Sequence, residues 1–468
     1  MAARFVTVDH DSPLLLPPDL RDWVAEDHMV HFIMDAVGLL DLSQAHINHG
    51  GTGSAQYPPA MMLGLLIYCY ATGNFSSRKI ERLTYDSVAV RLLCADTHPD
   101  HDSICKFRLD NDALIKSSFN EVLECAARAK VLQVGDITIA LDGTKILANA
   151  SKHSAVSHGH AVEQMQLLEL EVEQLLQKAR DADSTPLQDG LSVPQEVKRR
   201  TDRLAKLKEA VKVIEERAKE RRKQELADYE AKVEKRAAKE AATGKKAGGR
   251  EPKPPEEGPR GNDQFNFTDP ESRIMKAGSG EHYEQSYNAQ AAVEIKSRLI
   301  IAQHVTDVPN DKQQLEPTLA ALSPVVQSVE TVLVDSGYYS EKAVCDVEAN
   351  SQQQAALGET TVLAATKRQR HGRSVAELEQ RKDPPTPPPQ APMSEVMAHR
   401  LETQAGKQIY AQRKQTIEPV FGIIKSTMGF RQFMLRGKAK ANLEWTLVTL
   451  SYNLKRLFHM GAQLAPAN

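Results

Sequence analysis

Three acidic residues stand in sequence settings that could support chemistry on a phosphodiester. Asp142 lies in ITIALDGTK, Asp335 in VETVLVDSGYYS and Glu418 in YAQRKQTIEPVFGIIK. An aliphatic, β-branched run that ends in Asp-Gly or Asp-Ser-Gly predicts a carboxylate at the rim of a buried strand. A Glu in an amphipathic helix can pack against that rim. Together the three carboxylates would supply hard oxygen ligands, which suit Mg²⁺ and in-line displacement at phosphorus.

Each acid taken alone has a simpler interpretation. A single Asp after an apolar run is more often a turn residue that ends a strand. Three such acids in a consistent strand order favour a site. In that site Asp142 would bridge two metal ions about 3.5–4 Å apart, with Asp335 on one side and Glu418 on the other.

Composition restricts the class of protein. The chain has 468 residues, 41% hydrophobic and 26% charged, which is typical of a globular protein with more than one domain. Its net charge of -3 gives no global basic signature, so any contact with nucleic acid must come from local patches.

Cysteine usage and hydropathy point to an intracellular protein. Five cysteines are scattered singly without a CxxC pair, which predicts reduced thiols rather than disulfides or a zinc site. The apolar stretch 61–70 is much shorter than the ~20 residues that a membrane span needs. We therefore expect a cytoplasmic, nucleoid-associated protein with no membrane contact.

Residues 1–130 predict an N-terminal all-α domain, because helical periodicity is interrupted there by Pro-Pro and Gly-Gly pairs. The segments 76–81 and 86–88 could form a helix-turn-helix pair with basic residues outward, which would bind DNA. A helical docking or dimerisation module is an equally good interpretation.

Residues 162–258 predict an insertion, since apolar residues recur there in alternating three- and four-residue steps. The repeating residues are Met165, Leu168, Val172 and Leu175, then Leu204, Leu207, Val211, Ile214 and Ala218. This pattern indicates an antiparallel coiled-coil hairpin, followed by a Pro/Gly-rich linker that we expect to be mobile. The hairpin could pair protomers or clamp DNA, or it could be a tolerated insertion.

Residues 131–161 and 259–468 predict a mixed α/β catalytic domain of the ribonuclease H (RNase H) type. Strands are expected at 136–146, 287–293, 299–305, 331–335 and 361–365, and helices at 312–329 and 340–350. The proline-rich segment 368–392 predicts a disordered loop before the last helices. His153, His158 and His160 lie near the first acid, but in a segment that looks like a loop, and no Cys or acid completes a tetrahedral metal site.

These motifs resemble those of the DDE transposases of bacterial insertion sequences. The segment Asp142-Gly143-Thr144-Lys145, with Ala148-Asn149-Ala150, is similar to the family's first acidic motif. The second and third motifs are matched by Asp335-Ser336-Gly337-Tyr338-Tyr339-Ser340 and by Ile417-Glu418-Pro419-Val420-Phe421-Gly422 with Lys425. Tyr287-Asn288-Ala289-Gln290 and the stretch 17–108 extend the resemblance over most of the chain outside the hairpin and linkers.

The resemblance implies an RNase H-like enzyme that uses two Mg²⁺ (or Mn²⁺) ions, held by Asp142, Asp335 and Glu418. It would bind double-stranded DNA at the terminal inverted repeats of its element, nick the ends and join a 3′-hydroxyl to target DNA. A homodimer or a higher synaptic oligomer would bring the two ends together. Two alternatives remain open: an RNase H-like nuclease without strand transfer, and a non-catalytic DNA-binding or assembly protein derived from a transposase.

The resemblance also implies DNA-binding residues around the third acid. The family often carries Tyr, Arg, Glu and Lys at fixed helical spacing. Lys425 fits this spacing, whereas Tyr410 and Arg413 lie one residue further from Glu418, and Lys414 could take the arginine's place. Further basic residues follow against the single acid Glu444, and they predict a phosphate-binding face or, more simply, a solvated helix face. They are Arg431, Arg436, Lys438, Lys440, Lys455 and Arg456.

Overall fold

The computed structural model describes residues 19–48, 55–182, 192–244, 246, 248–276, 282–350, 359–366 and 382–464. The chain forms two compact units, Met1–Ile146 with Asn288–Asn468, and Leu147–Tyr287. The N-terminal helices and most of the predicted catalytic strands share the first unit. The division into domains at residues 1–130, at 131–161 with 259–468, and at 162–258 stays a prediction.

The helices and strands follow in chain order. The helices are α1 (Met29–Gly38), α2 (Pro59–Ala71), α3 (Ser77–Asp86), α4 (Val88–Leu93), α5 (His101–Asp110), α6 (Asp112–Arg128), α7 (His158–Ala182), α8 (Val193–Thr243), α9 (Leu315–Ala320), α10 (Glu341–Asn350), α11 (Met393–Glu402), α12 (Gln404–Gly422) and α13 (Lys438–His459). The strands are β1 (Ile137–Leu147), β2 (Ala155–Ser157), β3 (Gln264–Asn266), β4 (Arg273–Lys276), β5 (Tyr283–Glu294), β6 (Ile300–Thr306), β7 (Val329–Val334) and β8 (Thr361–Ala364).

The first unit is built on a mixed sheet, as the sequence predicts. Within this unit its strands lie in the order β6-β5-β1-β7-β8, and β4 also pairs with the first part of β5, residues 283–286. The pairs β1–β7 and β7–β8 are parallel, whereas β5 and β6 form an antiparallel hairpin. β7 is buried apart from Glu330, which fits a strand in the interior of a sheet.

Helix α13 is the central helix of this unit, and it packs against α2, α6 and β6. Its residues 443–454 are buried on all sides, as expected of a helix in the middle of a core. The Trp445 indole donates to the carbonyl of Gln290 at 3.0 Å. The Asn453 amide accepts from the main-chain N–H of Ile300 and donates to the Ile300 carbonyl. Trp445 and the leucines that follow it, Leu447, Leu450 and Leu454, are therefore core residues.

One predicted helix is much shorter than expected. The structure has helix only over Leu315–Ala320 within the predicted range 312–329. Pro324 explains the difference, because the residue before a proline is disfavoured in the helical region. That residue, Ser323, instead donates its N–H to the carbonyl of Ile301 on β6, and Leu322 bridges Ala302.

A buried ionic network joins the N-terminal helices to α13. The Arg108 guanidinium on α5 donates to the Tyr70 hydroxyl on α2 at 2.6 Å, and that hydroxyl donates to the Glu444 carboxylate at 2.8 Å. The other Glu444 oxygen accepts the main-chain N–H groups of Met434 and Leu435. Glu444 is fully buried, and burial raises the pKa of its carboxyl. The hydrogen bonds therefore compensate for a carboxylate that has lost its water.

Replacing Tyr70 by Phe is expected to cost about 1–2 kcal/mol of unfolding free energy, because it removes a hydroxyl that serves both charged groups. Urea unfolding measures the change. The control is Tyr85→Phe, since the Tyr85 side chain is 57% exposed on α3. A Tyr70→Phe cost no larger than that of the control would contradict this account of the network.

The second unit contains the two long helices α7 and α8, which pack on each other along much of α7. Their shared core contains Ala161, Leu168, Leu207, Ala210 and Ile214, with Met165, Leu204 and Val211 at its margin. All of these except Ala161 and Ala210 are residues of the predicted apolar repeat, and the two predicted helices are present. The ion pairs Glu171–Arg200 and Glu169–Lys208 join the two helices. Of the two α7 residues, the earlier one, Glu169, pairs with the later α8 residue, Lys208, so the helices run antiparallel.

One expectation about this region is wrong. His158 and His160 lie in the first turn of α7, directly after β2, rather than in a loop. β2 pairs antiparallel with β3, which the sequence analysis did not predict, and this pairing organises the segment. Within the predicted linker Glu257 pairs with Arg222 of α8, and just beyond the linker Asp263 pairs with Arg221 at 2.8 Å.

All five cysteines are free, and Cys69, Cys94 and Cys125 are buried. No helix within the described ranges is both long enough and apolar enough to traverse a lipid bilayer. Most of the predicted disordered loop, residues 368–381, lies outside the described residues.

Candidate active site

Two of the three predicted acids come together on neighbouring parallel strands. The β1–β7 register pairs Ala140 with Leu333, so two residues further along Asp142 is level with Asp335. β7 ends at Val334, and Asp335 follows it directly. Asp142 itself is not strand-terminal as predicted, because β1 continues to Leu147. It nevertheless lies at a rim, since its neighbour strand stops there.

The Asp142 carboxylate is held in an electrostatically unfavourable position. Its side chain is 21% exposed, and burial together with the nearby Asp335 raises its pKa to about 7. The main-chain N–H of Gly143 and the guanidinium of Arg413, 3.5 Å away, partly oppose this rise. A half-buried carboxylate beside a second carboxylate is what a divalent cation would stabilise.

Helix α12 contacts both acid-bearing strands. The Tyr410 hydroxyl donates to the carbonyl of Val334, the last residue of β7, at 2.9 Å. One turn later Arg413, which is buried, pairs with Asp142. Beyond the helix the Lys425 ammonium donates to the carbonyl of Lys145 on β1 at 2.9 Å. A π-helical turn at Ile423–Thr427 carries Lys425. The segment from Tyr410 to Lys425 is therefore fastened to the strand ends at three points.

Glu418 lies between these fastening points but is exposed. Lys425 lies seven positions further along, in the π-helical turn after α12. Among the described residues, no three His, Cys, Asp or Glu side chains already stand in an arrangement that could hold a metal ion. The structure thus brings Asp142 and Asp335 together and leaves Glu418 on the solvent side of α12.

A polar cluster that was not predicted from the sequence lies beside Asp142. One Asp311 oxygen accepts from the Asn288 amide at 2.6 Å and from the Gln290 amide at 2.8 Å. The Lys145 ammonium lies 3.9 Å from the same oxygen. Asn288 and Gln290 are two residues apart on β5, so their side chains lie on the same face of the strand. This spacing can be read from the sequence. Asp311 follows β6 in a loop, where an isolated acid carries no such signal.

Two family models match the chain. A model described as "Transposase DDE domain" matches residues 256–454, and one described as "Transposase domain (DUF772)" matches residues 18–110. The chain belongs to the DDE transposases of the insertion-sequence type. The first range contains Asp335 and Glu418, whereas Asp142 lies between the two ranges. Neither a curated protein nor a solved structure matches the chain.

As a member of this family the protein is an enzyme of DNA transposition, and its partner is DNA. Enzymes of the family generally use divalent metal ions. The carboxylates of Asp142 and Asp335 fit such an ion, because both are hard oxygen donors and a bound cation would offset the repulsion between them.

The transposase's predicted DNA-binding residues occupy two kinds of position. Arg413 and Tyr410 point into the site, and Lys425 is bound to β1, as described above. Lys414, Arg431 and Arg436 are exposed. Glu444 is buried in its own network, so it does not neutralise the charge of these exposed basic residues. The Lys455 ammonium donates to the carbonyl of Ala71. Contact of these residues with DNA stays a prediction.

Proposed function

We propose that this transposase cleaves DNA at the ends of an insertion element and joins the freed 3′-hydroxyl to target DNA. The observation that carries the proposal is the register of Asp142 with Asp335 on adjacent parallel strands, with Arg413 against Asp142. Carboxylates that stand together at a strand rim can hold metal ions. Such ions would position the phosphate and neutralise its charge, on which phosphoryl transfer depends.

The fold we propose is RNase H-like with an inserted helical hairpin. Support comes from the strand order β6-β5-β1-β7-β8, with an antiparallel pair on one side and parallel strands on the other. The hairpin would consist of α7 and α8, inserted between β1 and β5 along the chain.

Asp142, Asp335 and Glu418 would hold the metal, for which we propose two Mg²⁺ or Mn²⁺ ions. When bound, such ions activate the attacking oxygen and neutralise charge on the leaving oxygen. Arg413 keeps Asp142 in place, and Tyr410 anchors α12 to the end of β7. Lys425 and Lys414 lie on the same helical segment and would contact the phosphates beside the scissile bond.

Arg431 and Arg436 would contact the DNA backbone beyond the site. Replacing both by Ala is expected to weaken binding of all duplex sequences similarly and to lower the salt dependence of binding by roughly one phosphate contact for each residue. Fluorescence anisotropy over a range of salt concentrations measures this. Lys116→Ala is the control, because Lys116 pairs with Asp112 on α6. A loss of sequence preference without a change in salt slope would contradict a backbone role.

The N-terminal helices would recognise the terminal inverted repeats, and a homodimer or larger synaptic oligomer would hold two ends. The amphipathic helix α3 supports the first part. It buries Ile80 and Thr84 and exposes Arg78, Arg82 and Tyr85 on another face. Arg and aromatic side chains at this spacing can lie along a DNA groove.

A labelled duplex that carries the element's own end tests the proposal. Wild-type protein is expected to nick and join it with Mg²⁺ and to do neither with a chelator, while Asp335→Ala binds the duplex but leaves it intact. Cleavage without joined products would favour a nuclease. Specific binding without metal-dependent chemistry in either protein would favour a non-catalytic DNA-binding protein and overturn the proposal.

A further inference from the structure

A continuous set of hydrogen bonds runs from the loop after β6 to the turn that carries Asp335. Asp311 accepts from the Gln290 amide nitrogen, and the Gln290 amide oxygen accepts from the Tyr338 hydroxyl. Gln290 and Tyr338 are completely buried. Burial raises the pKa of Tyr338, so its hydroxyl keeps the proton that it donates.

Each end of this set lies next to a catalytic acid. Tyr338 belongs to the turn that follows Asp335, in which Gly337 donates its N–H to the Asp335 carboxylate at 2.7 Å. At the other end the network lies directly over Gly143, the neighbour of Asp142. A Cβ atom on Gly143 would collide with the Gln290 amide and lie 2.7 Å from the Asp311 carboxylate.

The donors and acceptors of the network have a fixed direction. A carboxylate only accepts, so Asp311 requires the NH₂ group of Gln290 to face it. The Gln290 oxygen must then face Tyr338, which supplies the donor. The buried amide is thereby satisfied at both of its ends and cannot rotate without losing two hydrogen bonds.

We propose that Asp311 and Gln290 are positioning residues that set the separation of Asp142 and Asp335. They do so by fastening the turn after β7, through Tyr338, to the surface of β1 at Gly143. The inference rests on the proposed function and goes beyond it, since neither residue is one of the three acids. Shifts of about 1 Å at a reacting centre can cost about a hundredfold in rate, so the network is expected to affect turnover more than DNA binding.

A charge-exchange pair tests the positioning role. Gln290→Glu places a second carboxylate against Asp311 and is expected to lower kcat for end cleavage at least about tenfold, with KM for the duplex changed less than about twofold. Adding Asp311→Asn removes the repulsion, because the carboxylate at position 290 can accept from both the amide at position 311 and Tyr338, while the Asn288 amide loses its acceptor on residue 311. The double variant carries the wild-type total charge and is expected to turn over at least about threefold faster than Gln290→Glu.

Tyr338→Phe is a milder second variant that removes only the hydroxyl, and it is expected to lower kcat with little change in KM. Glu316→Gln, at an exposed acid on α9, is the control and should behave as wild type. Thermal unfolding in chelator establishes that each variant is folded.

The outcomes separate the two proposals. A wild-type protein without metal-dependent cleavage would overturn the proposed function and this inference with it. If wild type cleaves but the double variant is no better than Gln290→Glu, or if Gln290→Glu and Tyr338→Phe both turn over at the wild-type rate, only the positioning role is overturned. Rescue by the double variant supports it.

Discussion

Asp142→Asn is expected to abolish metal-dependent end cleavage, with a loss of at least about a thousandfold in rate, or about 4 kcal/mol in the barrier. The amide keeps the shape of the side chain but removes the charge that a metal ion requires. DNA binding should persist, because the exposed basic residues are untouched. Gel-based cleavage of the end duplex measures the rate, and anisotropy measures the binding.

The same variant is expected to be more stable than wild type in chelator at neutral pH. The Asp142 pKa rises from 3.8 to about 7 in the folded chain, chiefly through burial. Below pH 3.8 the carboxyl is protonated in both folded and unfolded chains. Between these values only the folded chain keeps the proton, so wild-type stability falls as the pH rises, and above about 7 the loss is complete. A rise of this size corresponds to an upper value of about 4 kcal/mol.

Chemical unfolding of wild type and Asp142→Asn at pH 4, 6 and 8 in chelator measures this difference. The advantage of the variant should grow from pH 4 to pH 7 and then level off, and Mg²⁺ should reduce it at pH 8 by stabilising the wild type. Glu330→Gln, at an exposed acid on β7, is the control and should show no such trend. A wild type that gains stability relative to Asp142→Asn as the pH rises would contradict the electrostatic account.

Gly143→Ala is expected to damage the enzyme nearly as much as the loss of an acid. The added methyl group would lie 2.7 Å from the Asp311 carboxylate and 2.8 Å from the Asn288 amide oxygen, so the polar cluster must move. Such overpacking typically costs about 1–3 kcal/mol of stability. Because the displaced side chains adjoin Asp142, we expect cleavage to fall at least about a hundredfold.

Gly422→Ala is the matched control, since a methyl group there meets no atom within 4 Å and the residue ends α12. It should keep wild-type activity and gain up to about 1 kcal/mol of stability from the helix preference of Ala over Gly. Urea unfolding and end cleavage are measured for both variants. If Gly143→Ala cleaves as fast as Gly422→Ala, the packing around Asp142 is not tight.

The acids Asp142 and Asp335 could be paired from sequence because each follows a hydrophobic run that strongly favours a buried strand. The two runs predict the strands, and the RNase H-type strand order predicts that they lie close together, although Asp142 lies within β1 rather than at its end. The rotation of α12 could not be predicted in the same way. Its buried face contains Arg413 whereas Glu418 is exposed, and spacing along the helix does not show which face meets the sheet.

Residues in loops were harder to predict for a related reason. Asp311 acquires its role only through contacts with β5 and β1, which are far apart from it in sequence, and nothing in its local context distinguishes it from an ordinary turn acid. The helix predicted over 312–329 failed because Pro324 and the bridge to β6 outweigh a weak helical pattern. Long-range contacts therefore account for most of what local patterns did not reveal.

The hydrogen bonds that α13 makes to β6 have a consequence for solubility. Among the described strands β6 pairs only with β5, and an uncovered strand in that position offers free N–H and C=O groups to another chain. Asn453 occupies both polar groups of Ile300, and Asn442 accepts the N–H of Val305. The side chains of these two asparagines occupy main-chain groups that a further strand would otherwise bind. Helix α13 therefore also protects the sheet against edge-to-edge aggregation.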